Sequence, residues 1–388
     1  MMRVLQQGLV LAVAWLALLA LGPHRAQANV QITHGAAPKA GGDEIRIALV
    51  LPLMLPSDLK GTFKPSQTMA EFCTAARLAE ADAQARGIPI KLYFYDSRRM
   101  ADSASLIANL PELAEMDLVI GPIYGKETAA LAAWAQARQV PMVNPLTSAL
   151  HFDANNKFAY QAEPGPKEMA ATALALKQVG PGKQVGCIYG TTPKDSALAA
   201  AFAEQARQAG HTLALFKKVA KNSAANLPKF LREAGLDSNS VLFVPNAEPL
   251  VKAQLLSALE ITRCPALTVT YGAWIEESDI PLERFERLRI RFLYPDYPGY
   301  GLPDAERLRA RIQEVYGLPA TDVGLKAYDL IAVFGQALAQ AAPQARSSAL
   351  RDYSPLPSKL TAGYDFTQSQ TNARVPIYRL YDGRLERE

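Results

Sequence analysis

Short apolar runs rich in β-branched residues alternate along this chain with longer stretches whose apolar positions recur three and four apart. Residues 45–51 (IRIALVL) read as a buried strand, 66–86 as a helix, 89–96 (PIKLYFYD) as a strand and 102–113 as a helix. DLVI (117–120) is then stopped by Gly121-Pro122, an Ala- and Leu-rich helix follows over 126–138, and VPMVNP returns as a strand. Both of these strands run into small or hydroxyl-bearing loops, 121–125 and 144–148. After a Pro/Gly joint at 163–166 the same alternation resumes. It predicts helices over 167–179, 194–209, 226–234 and 248–260 and strands over 184–190, 212–219, 240–246 and 266–272. Then come RIRFLYPDYPGYG (289–301), helices over 303–316 and 321–342, and a final strand pair around 364–366 and 376–383.

Strands alternating with helices of about 10–15 residues imply βαβ units and parallel sheets. Two such series imply an α/β chain of two similar lobes. In an open parallel sheet, ligands bind outside the carboxyl ends of the strands. The 117–148 stretch therefore reads as half of a ligand cleft with no catalytic group in it.

The amino end changes the picture. Arg3 precedes an apolar stretch over 9–21, and Ala26-Gln27-Ala28 fits a small-x-small cleavage site. Residues 1–28 are expected to be a cleaved export signal, not an anchor, with a soluble periplasmic protein from Asn29 onward and no later membrane span. No Cys follows the apolar run, which argues against a lipid anchor. Residues 29–43 read as a mobile arm.

Removing Arg3 and Arg25 takes Lys plus Arg from 41 to 39 against 37 acids, a net charge of about +2. That balance argues against a nucleic-acid partner, and Arg98-Arg99 reads as a solvated basic run. The three cysteines, Cys73, Cys187 and Cys264, leave at least one thiol unpaired, with a Cys187–Cys264 bridge as the open alternative. No metal or cofactor is expected, since none of the four histidines has metal-ligand spacing. Ser57-Asp58-Leu59-Lys60 matches S-x-x-K, but no KTG or SDN accompanies it, so no enzyme is expected.

IRIALVLPL, AARLAEADAQARG, LYFYDS, VIGPIYGKETAALA and VPMVNPLTS come in an order that resembles type I periplasmic-binding-protein domains. The later IYG, VLFVPN, TVTYG, AYDLIAVFGQAL and YDFTQSQTNARVPIYRLYDG fit the same order over 44–388. The resemblance implies two Rossmann-like lobes joined by three crossings, near 158–165, 289–297 and 352–363, that close by a hinge on a small molecule. Lobe one would comprise 44–160 with 296–350, and lobe two 161–292 with 360–388.

Carried over from the family, the ligand's polar end would meet Tyr124, Gly125, Thr147 and Ser148. Tyr189, Asn246, Tyr271 and Trp274 would close over it from the second lobe. Tyr124 either stacks on the ligand or covers a loop. Thr147 and Ser148 either donate to an anion or cap a helix, and Trp274 is either a cleft wall or a packed residue. Tyr294, Tyr297 and Tyr300 with Asp296 read as hinge packing. Leu/Ile/Val-binding relatives usually place Ser or Thr at the first loop and an acid in the second lobe. Here Tyr124-Gly125 stands at the first, and Glu248, Glu276 and Glu277 are not clearly in register at the second. That departure favours a partly apolar ligand, such as a lipid or aromatic acid, over a charged amino acid.

The implied function is a substrate-binding protein that delivers its ligand to an inner-membrane transporter. A narrower likeness, to the binding-protein domain of lipoproteins that activate peptidoglycan synthases, implies the alternative of an envelope regulator that binds a protein.

Overall fold

The computed structural model describes residues 31–32, 44–54, 67–149, 151–177, 182–276, 280–295, 297, 299–317 and 319–388. The expected signal, the S-x-x-K match, Glu277 and Asp296 lie outside them. The chain divides into two units, Met1–Glu163 with Tyr297–Ala373 and Pro164–Asp296 with Arg374–Glu388.

The first unit begins with strands β1 (Gln31–Ile32), β2 (Ile45–Leu51), β3 (Ile90–Asp96), β4 (Leu118–Ile120), β5 (Met142–Asn144) and β6 (Ala159–Gln161). Their order is β1-β3-β2-β4-β5-β6, parallel throughout except β1, which pairs antiparallel with β3. Residues 31–32, expected in a mobile arm, thus form an edge strand. Helices α1 (Gln67–Ala85), α2 (Ala101–Ala108) and α3 (Gly125–Arg138) join these strands.

The second unit holds α4 (Pro166–Ala175), β7 (Gln184–Tyr189), α5 (Pro193–Gln208), β8 (Thr212–Lys218), α6 (Leu227–Ala234), β9 (Val241–Phe243), α7 (Pro249–Thr262) and β10 (Leu267–Tyr271). The short α8 (Ala273–Glu276), α9 (Leu282–Arg287) and β11 (Arg291–Leu293) follow. The chain then returns to the first unit as α10 (Pro303–Tyr316), α11 (Asp322–Gln340) and α12 (Ala349–Asp352). It ends in the second unit as a hairpin, β12 (Ile377–Tyr381) and β13 (Arg384–Arg387), giving the sheet order β13-β12-β11-β10-β9-β7-β8.

Each sheet is buried by helices, which is why its central strands are apolar without alternation. All seven residues of β2 are buried. On one face Phe72, Ala76 and Ala79 of α1 and Leu330 and Phe334 of α11 form a core with Ile47 and Leu49. On the other, Ile107 of α2 and Leu131 and Ala135 of α3 cover Ala48, Val50 and Val119. The small alanines of α1 let its neighbours approach closely. In the second unit Met169, Phe202, Phe243 and Leu293 share a core.

Several expectations are corrected. The helix read over 102–113 ends at Ala108, and a 3-10 turn takes Pro111–Glu115. Proline lacks the N–H and clashes with the preceding turn, so it starts a new element rather than continuing the old one. Residues 364–366 do not pair with 376–383. Tyr364 bridges antiparallel to Leu356, while β12 pairs with β11 and β13. Residues 360–373, placed by sequence in lobe two, belong to the first unit. The reason is the buried Asp329 of α11, whose carboxyl accepts hydrogen bonds from Ser358, from Thr361 at 2.7 Å and from Tyr364 at 3.0 Å. The third crossing therefore falls at 373–374, not within 352–363.

Cys73, Cys187 and Cys264 are all free thiols, so the Cys187–Cys264 bridge is not formed. Burial pushes the Cys73 thiol up to about 12 and raises Cys187 as well, as befits core residues.

On the second unit's surface, Arg284 donates to both oxygens of Glu260 at 3.1 and 2.8 Å, and Arg287 adds a bond at 2.6 Å. These bonds hold the Glu260 carboxyl down at about 2. A depressed folded-state carboxylate adds stability above its unfolded value, and that stability is lost as pH falls towards the folded one. The pair is partly solvated, so the contribution stays below about 1 kcal/mol. Glu260→Gln is expected to flatten the pH dependence of unfolding between about pH 4.5 and 2. Urea unfolding as a function of pH checks this; an unaltered acid limb contradicts it.

Candidate functional site

The carboxyl ends of the parallel strands are where loops leave the sheet and where side chains face outward. In the first unit, β4 ends at Gly121-Pro122. Gly121 has φ +105°, and a Cβ there would meet the Val50 carbonyl oxygen at 2.0 Å. Only glycine lets this turn pass so close to β2. Tyr124 is the N-cap residue of α3 and is 39% exposed. The Arg99 guanidinium lies over its ring, 4.2 Å from the centroid. Gly125 opens α3, and the space a Cβ would fill there is taken by the His151 imidazole, 2.7 Å away.

One side chain fixes both loops. Asn144, at the end of β5, is fully buried. Its Nδ2 donates to the Pro122 carbonyl at 2.7 Å, the Ile123 carbonyl at 3.1 Å and the Thr128 hydroxyl at 2.9 Å. Its Oδ1 accepts the N–H groups of Leu146 at 3.3 Å and Thr147 at 3.1 Å. Thr147 and Ser148 are half-buried beside it. Thr147 Oγ1 accepts the Ala149 N–H at 3.3 Å and so caps a turn. Glu127, in the first turn of α3, is buried. Burial raises its carboxyl, while Ser97, the Tyr124 and Met100 backbone N–H groups and the Arg99 charge pull it back.

In the second unit the expected residues lie on neighbouring strand ends, but they do different work. Tyr189 is half-buried, its ring 5.0 Å from that of Phe216. Asn246 is fully buried, donating to the Val219 carbonyl at 2.9 Å and accepting the Glu248 N–H at 3.1 Å. Trp274 is also fully buried, with its indole N–H on the Asn246 carbonyl at 2.7 Å and its ring 6.3 Å from Phe285. Of the two readings of Trp274, the packed one fits: it has no exposed surface here with which to wall a cleft. Tyr271 donates its hydroxyl to Asp195 at 2.9 Å, and the Lys194 ammonium lies 5.2 Å from its ring centroid. Asp195 is a buried acid on this unit. It also caps α5 with Thr192, whose Oγ1 accepts the Asp195 N–H at 3.1 Å.

Sequence reading missed Asn144, Arg99, His151 and Asp195. Asp195 carried a usable signal, since T-P-K-D before an apolar helix is a capping-box pattern. Glu248 is exposed at the start of α7. Tyr294 lies in the second unit against Gly272 and edge-on to Tyr378, whereas Tyr297 and Tyr300 contact one another in the first. Among the described residues no helix is long and apolar enough to cross a membrane.

The fold has solved counterparts. An ABC transporter substrate-binding protein from Desulfitobacterium hafniense, solved in complex with Leu, matches at 18% identity with a TM-score of 0.56, covering 89% of this chain and all of that one. A chain from Rhodospirillum rubrum matches at 16% identity with a TM-score of 0.66, over 89% of this chain and 99% of its own. A branched-chain amino acid ABC transporter ligand-binding protein from Burkholderia xenovorans matches at 10% identity and a TM-score of 0.60, over 89% and 94%. At such identities the likeness establishes the fold: α/β, with two mainly parallel sheets of the type I periplasmic-binding architecture. No curated protein sequence matches the chain. The family model described as periplasmic binding protein, a family of binding proteins and not of enzymes, matches residues 44–378, and the chain belongs to that family.

Proposed function

We propose that this protein is the solute-binding component of an ABC-type membrane transporter, working in the periplasm after loss of residues 1–28. The ligand is a small, partly apolar molecule. In the first unit the candidate contacts are the strand-end loops around Tyr124, Gly125, Thr147 and Ser148; in the second unit, taken by itself, they are Tyr189 and Tyr271. Asn246 and Trp274 shape the second set from beneath.

The observation that carries this reading is the Asn144 knot. It holds two loops rigidly through one buried amide, and so presents an exposed aromatic ring and half-buried hydroxyls outside the strand ends. Fixed loops lower the ordering cost of binding, and an apolar wall with a few oriented polar groups is the usual composition of a small-molecule site. The family membership supports it, as does the Leu held by the D. hafniense relative.

Titration calorimetry of residues 29–388 against branched-chain amino acids, aromatic acids and short fatty acids tests the reading. Saturable one-site binding by one of these classes is expected. Heat-silent titrations across all of them, with the protein folded, would count against it.

A further inference from the structure

The first unit carries a cavity apart from its candidate loops. It holds about 570 Å³, inside the roughly 300–1,000 Å³ of small-molecule sites. Its lining comes from α10, α11, the residue after the end of α1 and the segment 353–360, all within that unit. Helices α1 and α11 run side by side in one direction. At their starts Glu71 accepts the N–H groups of Thr321 at 2.6 Å and Gly324 at 3.1 Å. Near the far end of α11, a Cβ on Gly335 would meet Ile90, the first residue of β3, at 2.2 Å. Arg86, just past the end of α1, therefore sets the cavity towards the amino ends of the parallel strands. Tyr124 and Thr147 follow the carboxyl ends.

A buried carboxylate fixes the outer wall. Asp329 accepts from the hydroxyls of Ser358, Thr361 and Tyr364. The Ser358 oxygen in turn accepts the N–H groups of Leu360 at 2.9 Å and Thr361 at 3.0 Å. Leu356 and Tyr364 exchange backbone bonds at 2.7 and 2.9 Å, and Tyr353 donates its hydroxyl to the Gln340 carbonyl at 2.8 Å. Leu308, Ala337, Leu356 and Leu360 are buried and, with the half-buried Val333, give the cavity an apolar floor.

The charges around this floor do not cancel. Four cations line the cavity, Arg86, Arg307, Arg311 and Lys359, against two acids, Asp304 and Asp329. Arg307 is paired with Asp304, and Arg311 holds both oxygens of Asp82 at 2.7 and 2.9 Å. Asp329 is spent on its three hydroxyls. Arg86 and Lys359 are exposed, and among the described residues no ion pair engages either. Two unengaged cations match a phosphate monoester, which carries about −1.5 to −2 charge at neutral pH and offers three acceptor oxygens.

We propose that this cavity is a second binding site, for a phosphate monoester with an apolar body. The body lies on Leu308, Val333 and Ala337, and Arg86 and Lys359 take the phosphate. The site stands independently of the solute-binding reading, and either can fail alone.

The test is calorimetry on residues 29–388 with hexyl phosphate, inorganic phosphate and hexanol. Hexyl phosphate is expected to bind at least about tenfold tighter than either of the others, since each lacks one half of the recognition. The double variant Arg86→Ala with Lys359→Ala is expected to weaken it at least about tenfold, and Tyr124→Ala to leave it unchanged. Both cations are exposed, and an unchanged melting temperature verifies that the double variant folds. A lipid could supply the same head, so sedimentation with vesicles of phosphatidylcholine with and without phosphatidic acid forms a second arm. Binding to the phosphatidic acid vesicles that the double variant loses, with hexyl phosphate inert, supports the site and names a lipid as its source. Inorganic phosphate or hexanol binding as tightly as the ester overturns the proposal. So does ester binding that Tyr124→Ala removes and the double variant keeps, which would place it at the strand-end loops. Silence in both arms overturns the second site and leaves solute binding, tested with other ligands, standing.

Discussion

Replacing Asn144 by Ala is expected to lower stability by about 2–4 kcal/mol and to weaken ligand binding at least tenfold. The substitution strips three bonds from one buried amide nitrogen and two from its oxygen. The Pro122 carbonyl keeps the Thr128 hydroxyl at 3.3 Å but loses its shorter donor, and the Ile123 carbonyl loses the amide as well; a buried polar group left short of partners costs about 1–3 kcal/mol. The effect on binding follows from geometry, since the loops carrying Tyr124 and Thr147 lose their shared anchor. Asn144→Asp is the sharper control. It keeps the acceptor for the Leu146 and Thr147 N–H groups but offers the carbonyls of Pro122 and Ile123 a carboxylate instead of a donor. Chemical unfolding and calorimetry on both variants give the answer. A stability change under about 0.5 kcal/mol in Asn144→Ala would mean the loops are held by something else.

The second large effect separates two aromatic residues that the sequence treated as a pair. Trp274→Ala is expected to cost about 3–5 kcal/mol in stability, the range for deleting a large buried aromatic. The indole is fully buried and its N–H is bonded to Asn246, so its loss opens a cavity beside Phe285 and frees a buried carbonyl. Any loss of binding in that variant comes through the fold. Tyr124→Ala should do the reverse. The ring is 39% exposed, and its main partner is the guanidinium of Arg99. Stability should move by no more than about 0.5 kcal/mol, while affinity falls at least tenfold. Equal destabilisation by the two substitutions would contradict this division between core and site.

Much of the architecture was legible because it rests on local signals. IRIALVL is a run that only a strand covered on both faces requires, and it is β2 to the residue. Pro303 at the start of α10 and Thr321, whose side chain caps α11 at Val323 N–H, mark boundaries within a few residues. What escaped was decided by partners far away in sequence. Tyr-Asp-Phe at 364–366 looks like a strand bound for the second lobe, but the Asp329 carboxyl, 35 residues back from Tyr364, draws it to the first unit.

The site was legible in the same measure. The loops were found because Gly121-Pro122 and the hydroxyls after VPMVNP are local marks. The roles of the residues were not, because burial decides them. Asn246 and Trp274 lie beneath the surface, Asp195 is buried, and Arg99, the second of two successive left-handed residues, lies over the Tyr124 ring. Arg98-Arg99 read as a solvated pair of charges, and nothing in composition or spacing distinguishes that from a cation seated on a tyrosine.

Native mass spectrometry of residues 29–388, purified gently from an envelope fraction, tests solute binding most directly. A small-molecule adduct that leaves on denaturation is the expected result, and its mass would read out the ligand class. A protein that arrives bare, and stays bare after exposure to metabolite and lipid extracts, would contradict the account and favour a role in binding another protein.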